Sequence, residues 1–349
     1  MIKNPFFSII IPTYNRANDL KFAISCILMQ DFENFELVIS NNNSIDNTDD
    51  IIKGFKDKRI VYVKNKTNLG WIKSLKKAIA LARGKYILLQ GDDDFALYNN
   101  TLRTVYDLLK RENYGFVRVN YLSKIVGKDI VFDFRVSKYV DYDIKINSKK
   151  DNYKIIDFIE KVDPFFLTGI IFKNNFPKDI NLIDSELIPW FKIIFYNIRN
   201  FGGYYISKHF FVSSWQKISG KSGHPFFNLL NGKFAFENYF KEIKNLCSSS
   251  HYDKFLDKHL REIIKLLPAN KFSSNNKNVI NCSKRIIELS SSYKFSTFFW
   301  FWFFLSLLTP KWILGISRQY FLKSMIHKSQ VKNVGEIKNR IRELEKEDD

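Results

Sequence analysis

Short apolar runs and helical periodicities take turns along the first 95 residues. Phe6–Ile11 is an apolar run closed by Pro12 and reads as a buried strand. Asn18 or Asp19 is placed to cap a helix reaching about Gln30. Glu36–Ser40 predicts a second strand, which ends in the polar run Asn41-Asn42-Asn43-Ser44, and Asp46–Phe55 predicts a second helix. Ile60–Lys64 predicts a third strand, Asn68-Leu69-Gly70 a turn, and Trp71–Ala82 a third helix that Gly84 stops. Tyr86–Leu89 predicts a fourth strand, and the triplet Asp92-Asp93-Asp94 follows closely.

This alternation predicts an α/β fold with right-handed crossovers and a parallel sheet. Beyond it the pattern is mixed. Tyr114–Tyr121 and Thr168–Lys173 predict strands, and Ser185–Asn200 a helix with Gly202-Gly203 just past its end. Tyr204–Ile206 and Phe210–Ser213 predict two further short strands. Residues 225–349 are mainly helical, and the tail from about Glu336 reads as a charged helix or frayed end. The expected division is a domain over 1–220, with halves 1–110 and 111–220, and a helical region over 221–349.

In parallel sheets ligands bind outside the carboxyl ends of the strands. Pro12-Thr13-Tyr14-Asn15, Asn41-Asn42-Asn43 and Asp92-Asp93-Asp94 all fall at such ends, so three polar segments converge on one rim. Neighbouring carboxylates repel, and a cation among them removes the conflict. Mg2+ and Mn2+ take oxygen ligands, often one or two carboxylates plus substrate phosphates. An acidic triplet also caps helices, and Asp94 precedes a helical stretch. Its position at a strand end, beside the other two segments, favours the metal.

The net charge of +19 points to an anionic partner: nucleic acid, a membrane surface or phosphorylated small molecules. The basic residues are spread along the chain, and no zinc-finger spacing or RNA-binding aromatic motif accompanies them, so nucleic acid is not expected. Three distant cysteines, Cys26, Cys247 and Cys282, suggest neither a zinc site nor a disulfide framework and fit a reducing cytoplasm. The N-terminus runs straight into a strand pattern, so no signal peptide is expected.

Ser8-Ile9-Ile10-Ile11-Pro12-Thr13-Tyr14-Asn15-Arg16 resembles the opening of family 2 glycosyltransferases with the GT-A fold. Phe35–Ser40 followed by Ser44-Ile45-Asp46-Asn47-Thr48, then Asn68-Leu69-Gly70 and Ala82–Ile87, are similar to that family's next segments. The Gly91-Asp92-Asp93-Asp94 form looks like the abequosyltransferase-like branch of O-antigen and capsule synthesis. The resemblance is strong over residues 6–110 and weaker to 220.

It implies a GT-A nucleotide-sugar-binding fold, a Rossmann-like mixed sheet flanked by helices, with a mainly helical C-terminal extension. It implies Mn2+ or Mg2+ as cofactor, a nucleotide-diphosphate sugar as donor and a glycan or polyprenyl-diphosphate-linked acceptor. Pro12, Thr13, Tyr14, Asn15, Arg16, Asn41, Asn43, Asn68, Gly70 and Asp92 would line the donor pocket, with Tyr14 near the base. Asp93 and Asp94 would hold the metal, with His224 as a further candidate ligand. Asn41 departs from the family's usual aspartate; an amide both donates and accepts, whereas a carboxylate only accepts.

An inverting transfer needs a carboxylate base. The resemblance places it near the start of a later helix, at Asp184 first, Glu186 second and Asp163 third. Trp190 reads as a core residue, with stacking on an acceptor sugar as the alternative; His209 lies close in sequence, and the loop of Lys217, Ser219, Gly220, Lys221, Ser222 and Gly223 is either a solvated turn or a flap over the diphosphate.

Phe295–Leu308 is apolar all round and too short to span a bilayer, which needs about 20 residues. Its Trp and Phe residues and the flanking Lys284, Arg285, Lys294, Lys311, Arg318 and Lys323 fit an anionic inner-leaflet surface. Segment 295–317 is therefore expected to hold a cytoplasmic enzyme peripherally on the membrane; a buried core helix or homodimer interface is the alternative. For the whole chain, a catalytically silent nucleotide-sugar-binding or partner-binding module is the competing function. A nucleotidyltransferase is disfavoured, because Pro12–Arg16 lacks the glycines of a phosphate loop.

Overall fold

Strand Phe7–Thr13 (β1) lies between Phe35–Asn41 (β2) and Tyr86–Leu89 (β4), parallel to both, and Ile60–Lys64 (β3) adds outside β2. Side chains on both faces of β1, β2 and β4 are buried, as continuous apolar runs in a parallel sheet require. Helices Ala17–Leu28 (α1), Thr48–Gly54 (α2) and Trp71–Leu81 (α3) make the crossovers. The computed structural model describes residues 3–125, 131–132, 140–147, 151–163, 165–177, 179–180, 182, 188–215, 229–230, 233–234, 236–317 and 334–348.

Two expected details differ at α1 and β1. Neither Asn18 nor Asp19 caps α1. The helix begins at Ala17, and the Asp46 carboxylate, reaching over from the β2–α2 loop, accepts the Ala17 N–H at 3.1 Å. The same carboxylate takes the Thr48 N–H at 3.2 Å, so one side chain holds the starts of two helices. β1 also runs past Pro12 to Thr13.

Gly84 does more than stop α3. A Cβ there would sit 2.6 Å from the Phe7 carbonyl carbon and 2.8 Å from Ser8 Oγ. This close approach lets the Gly84 N–H donate to Ser8 Oγ at 2.7 Å, while that hydroxyl donates to Glu36 at 2.6 Å.

The sheet continues past β4 with Phe95–Ala96 (β5), Phe116–Ile125 (β6), Val131–Phe132 (β7), Ile144–Ile146 (β8), Ile170–Lys173 (β9) and Gly203–Trp215 (β10). Its order is β3-β2-β1-β4-β9-β6-β10-β5, with β7 on β6 and β8 on β10. β9 is antiparallel to both neighbours and β5 is antiparallel to β10, so the parallel half grades into a mixed one. The two short strands expected over Tyr204–Ser213 are one strand, β10. Its register against β6 slips around His209, and Asn120 donates to the Ser207 carbonyl at 2.6 Å within that irregularity. A bulge placed a polar stretch inside a continuous strand, and the apolar pattern alone reads that as a break.

Helices Thr101–Glu112 (α4), Asn152–Lys161 (α5) and Phe191–Phe201 (α6) flank this half. α6 ends at Gly202, whose φ of 76° suits a residue without Cβ. Its expected start at Ser185 lies outside the described residues.

The chain divides into two compact units: Met1–Leu182 with Pro189–Trp215 and Gln330–Asp349, and Ile183–Ile188 with Gln216–Ser329. The second contains a small hairpin, Leu229–Leu230 (β11) with Lys233–Phe234 (β12), and helices Glu237–Leu246 (α7), Ser249–Lys265 (α8), Leu267–Ser273 (α9), Asn276–Leu289 (α10), Thr297–Leu308 (α11) and Lys311–Ser317 (α12). Inside it Arg285 Nε donates to the buried Glu237 at 2.8 Å.

The last helix, Val334–Asp348 (α13), belongs to the first unit. Ile337, Ile341 and Leu344 pack with Cys26, Phe95, Leu97, Leu122 and Val212. Arg340 Nη2 donates to Asn99 at 2.8 Å, and Lys124 pairs with Glu345.

Ile341→Asp places a charge in this cluster and is expected to cost about 3 kcal/mol. Thermal denaturation should show it as a lowered Tm, and hydrogen exchange should speed up in the segment spanning residues 92–98.

Candidate active site

The chain leaves β1 toward β2 on one side and returns to β4 on the other. The gap outside the carboxyl ends of β1 and β4 is therefore the topological switch point of the sheet. Thr13 ends β1 there, and Asp92-Asp93-Asp94 follows β4.

The triplet is held tightly. Thr168 Oγ1, at the entry to β9, donates to Asp94 Oδ2 and accepts the Gly91 N–H at 2.8 Å. The Ser214 N–H on β10 donates to Asp94 Oδ1 at 3.3 Å, and Gln90 donates to the Asp94 carbonyl at 3.0 Å. Arg16, just after β1, pairs with Asp93 and lies 3.9 Å from Asp92. Strands from both halves of the sheet thus fix one turn.

Its charge is unbalanced. Burial, and then the Asp93 carboxylate, pushes Asp92 up to about 7 against the lowering effects of Thr13 and Arg16. Burial also raises Asp93 despite its pairing with Arg16. Asp94 is driven well above the carboxylate range by burial and by Asp93. Burial pulls the Arg16 guanidinium down, but Asp93 and Asp92 outweigh it and the net shift is upward.

Gly91 shapes the space that these groups share. The point where its Cβ would stand is 2.5 Å from Asp94 Oδ2 and 3.2 Å from Asp93 Oδ1. Two carboxylates close on a cradle that any larger residue would fill. Among the described residues no group of three or more His, Cys, Asp or Glu is arranged to hold a metal alone. A pair of carboxylate oxygens suits Mg2+ or Mn2+, which draw their other ligands from water and phosphate.

The other rim segments brace one another. Asn15, at φ 54°, donates its N–H to Ser44 Oγ at 2.9 Å and accepts from the Ile45 N–H at 2.9 Å. Asn42 accepts from the Leu69 N–H at 2.9 Å and donates to Asn68 at 2.8 Å, and Asn68 accepts the Gly70 N–H at 2.9 Å. Asn43 and Gly70 take positive φ, which suits an asparagine and a glycine.

Asn41 is turned inward. It is fully buried, donates to Asp49 and Tyr62 at 2.9 Å each and accepts the Ser44 N–H at 2.7 Å. Both amide protons are thus committed to the scaffold. Burial and then the bond to Asp49 raise Tyr62 to about 12, while Lys64 and Tyr62 hold Asp49 low.

Tyr14, Ile45, Leu69 and Trp71 are exposed around this rim. Trp190, a candidate for stacking on sugar, is buried and meets Trp71 edge-on at 6.3 Å, so Trp71 is the indole offered to solvent. Asp163 is buried too, accepting from the Tyr121 hydroxyl at 2.6 Å and the Phe165 N–H at 3.3 Å. His209 sits at the β10 irregularity. Asp184, Glu186, His224 and the Lys217–Gly223 loop lie outside the described residues. Thr168 and Ser214, which orient Asp94, were not among the expected site residues. Their role depends on strands more than 70 positions away in sequence, and no local pattern marks them.

A family model described as Glycosyl transferase family 2 matches residues 8–169. An uncharacterized glycosyltransferase of Haemophilus influenzae is 32% identical over 188 residues, which cover 53% of this chain and 57% of that one. An Escherichia coli protein, the UDP-Glc:alpha-D-GlcNAc-diphosphoundecaprenol beta-1,3-glucosyltransferase WfaP, is 27% identical over 192 residues, covering 51% of this chain and 75% of that one. In three of the curated relatives the match spans 33%, 57% and 17% of the relative's length. The fold is similar to that of S. aureus TarS 1-349 in complex with UDP-GlcNAc, with a TM-score of 0.55, 17% identity and coverage of 98% and 92% of the two chains.

The raised Asp92 fixes the sign of a pH effect. The folded chain keeps a proton that the unfolded chain releases between the usual carboxylate range and about pH 7, so stability falls as pH rises through that window. Without added divalent ions, Asp92→Asn is expected to raise the Tm by a few degrees at pH 8 and to leave it nearly unchanged at the acidic end of the window. Calorimetric scans at several pH values check this.

Proposed function

We propose that the protein, whose residues 8–169 match the family 2 glycosyltransferase model, moves a sugar from a nucleoside-diphosphate donor to a glycan or polyprenyl-linked acceptor in bacterial surface polysaccharide synthesis. The convergence of Asp93 Oδ1 and Asp94 Oδ2 on the Gly91 cradle, at the switch point of the sheet, carries this reading. UDP is the first nucleotide to test, since the E. coli relative is a UDP-Glc enzyme by name.

In this reading Asp93 and Asp94 hold Mn2+ or Mg2+, which when bound neutralises charge on the departing nucleoside diphosphate. Asp92 faces the ribose or phosphates. Arg16, with its side chain 40% exposed, is placed to turn from Asp93 toward a phosphate. Tyr14, also exposed, offers its ring to the base. Asn41 supports the pocket from behind and does not read the base.

Asp184 takes the proton of the acceptor hydroxyl as that oxygen bonds to the anomeric carbon, the bond to the diphosphate breaks, and the configuration inverts. Glu186 is the alternative base. A lipid-linked acceptor places the reaction at the inner face of the cell membrane.

Calorimetry with UDP, GDP, CDP and dTDP should find one nucleotide whose binding needs Mn2+ and is lost in Asp93→Ala/Asp94→Ala. Transfer should fall at least a hundredfold in that variant, on the order expected when metal stabilisation is removed. If no nucleotide binds, or binding ignores the carboxylates, the donor site is refuted and the silent-module reading replaces it. Asp184→Ala should lower kcat by roughly 10²–10⁴ with nucleotide binding unchanged; unchanged turnover would remove Asp184 from the mechanism.

A further inference from the structure

Helix α11 reads Thr-Phe-Phe-Trp-Phe-Trp-Phe-Phe-Leu-Ser-Leu-Leu, and only one side of it is used inside the second unit. Phe299 and Ser306 are buried, and the helix packs on α8, α9 and α10. Phe301, Phe304, Leu305 and Leu308 recur at the spacing of one helical face, and all are exposed. On α12, Trp312, which is 68% exposed, and Ile316 are also uncovered. Such a contiguous apolar surface marks a contact with something other than water.

Neither helix is long enough to cross a bilayer alone. The 12 residues of α11 extend about 18 Å, well short of a hydrocarbon core of about 30 Å. Among the described residues no single helix is long and apolar enough to cross a membrane, and α11 and α12 meet at a bend of 112°. The backbone at the bend is also prepared for a dry setting. Lys271 Nζ donates to the Leu307 and Thr309 carbonyls at 2.8 Å each, which α11 leaves open at its end. In lipid such groups must be satisfied internally.

The charge around the face selects its occupant. Lys294, exposed, precedes it; Lys311 at the bend donates to the Ser274 carbonyl, and Arg261, 5.3 Å from the centre of the Phe298 ring, pairs with Asp257 at 2.7 Å. Beyond α12 the sequence adds Arg318, Lys323 and Lys328, in a chain of net charge +19. Anionic headgroups would pair with them.

We propose that the outer face of the α11–α12 elbow lies in the headgroup–acyl boundary of an anionic bilayer as a monotopic anchor. Phe301, Phe304, Leu308 and Trp312 enter the acyl region, while Lys294 reaches back to lipid phosphates. The proposal names the partner of the enzyme described above and draws its purpose from that reading. Its test uses neither donor nor acceptor, so the two fail separately.

The test is flotation of the full chain with vesicles of phosphatidylcholine alone or with one third phosphatidylglycerol. Wild type should float with the anionic vesicles. Phe301→Ser/Phe304→Ser/Trp312→Ser should bind at least tenfold more weakly, with circular dichroism showing an unchanged fold. Lys294→Glu should bind anionic vesicles at least about fivefold more weakly and neutral ones unchanged. Independently of any variant, brominated acyl chains should quench wild-type tryptophan emission. Absence of flotation and quenching, or a triple-serine variant that floats like wild type, would overturn the proposal. So would a wild-type dimer that the triple variant converts to monomer, since the face would then belong to a second copy.

Discussion

The mutual repulsion of three consecutive carboxylates, drawn out of water at the end of a buried strand, governs the first unit. Left alone, such a turn would open toward solvent. It stays closed because groups from distant segments hold it: Thr168 and Ser214 on Asp94, and Arg16 on Asp93. Each comes from a different strand or strand end, so the mixed sheet must be complete before the turn has its shape. What remains is a surplus of negative charge aimed at the Gly91 cradle. Asp92 and Asp94 are raised first by burial and then by the Asp93 charge, and a divalent ion with a diphosphate would relieve that repulsion.

The rim beside it follows the opposite principle. Asn15, Asn41, Asn42 and Asn68 are neutral and bifunctional, and they satisfy backbone N–H groups of neighbouring loops in a closed set. A loop cluster fastened this way is shaped before any ligand arrives, so less ordering is left for binding to oppose. The inward turn of Asn41 belongs to this logic. Once both its amide protons serve Asp49 and Tyr62, the asparagine is a structural strut, whatever residue relatives carry there.

Much of this was readable from the chain. The parallel half declares itself because buried strands are continuous apolar runs and their crossovers are amphipathic, and the three polar segments at strand ends locate the rim. The reading weakened where structure depends on partners remote in sequence. The β10 bulge hid one strand as two, Asp46 caps α1 from another loop, and Thr168 and Ser214 reach Asp94 across the sheet. Trp190 reads as core or as a platform for a sugar, and its burial against Trp71 and α6 makes it core.

Helix α13 makes the first unit a discontinuous one. Arg340 reaches the Leu97 carbonyl across 243 positions, and Ile337, Ile341 and Leu344 cover the strand that directly follows the aspartates. Most of the helical unit is thus inserted between β10 and α13, with Ile183–Ile188 contributed from before α6, and no single cut separates the two units intact. Closing so long a loop costs more chain entropy than any local contact and comes late in folding. Until it closes, Phe95, Leu97 and Val212 stay uncovered, and a half-built sheet edge in that condition is prone to pair with a neighbouring molecule. The helix is therefore also a guard against misassembly during folding.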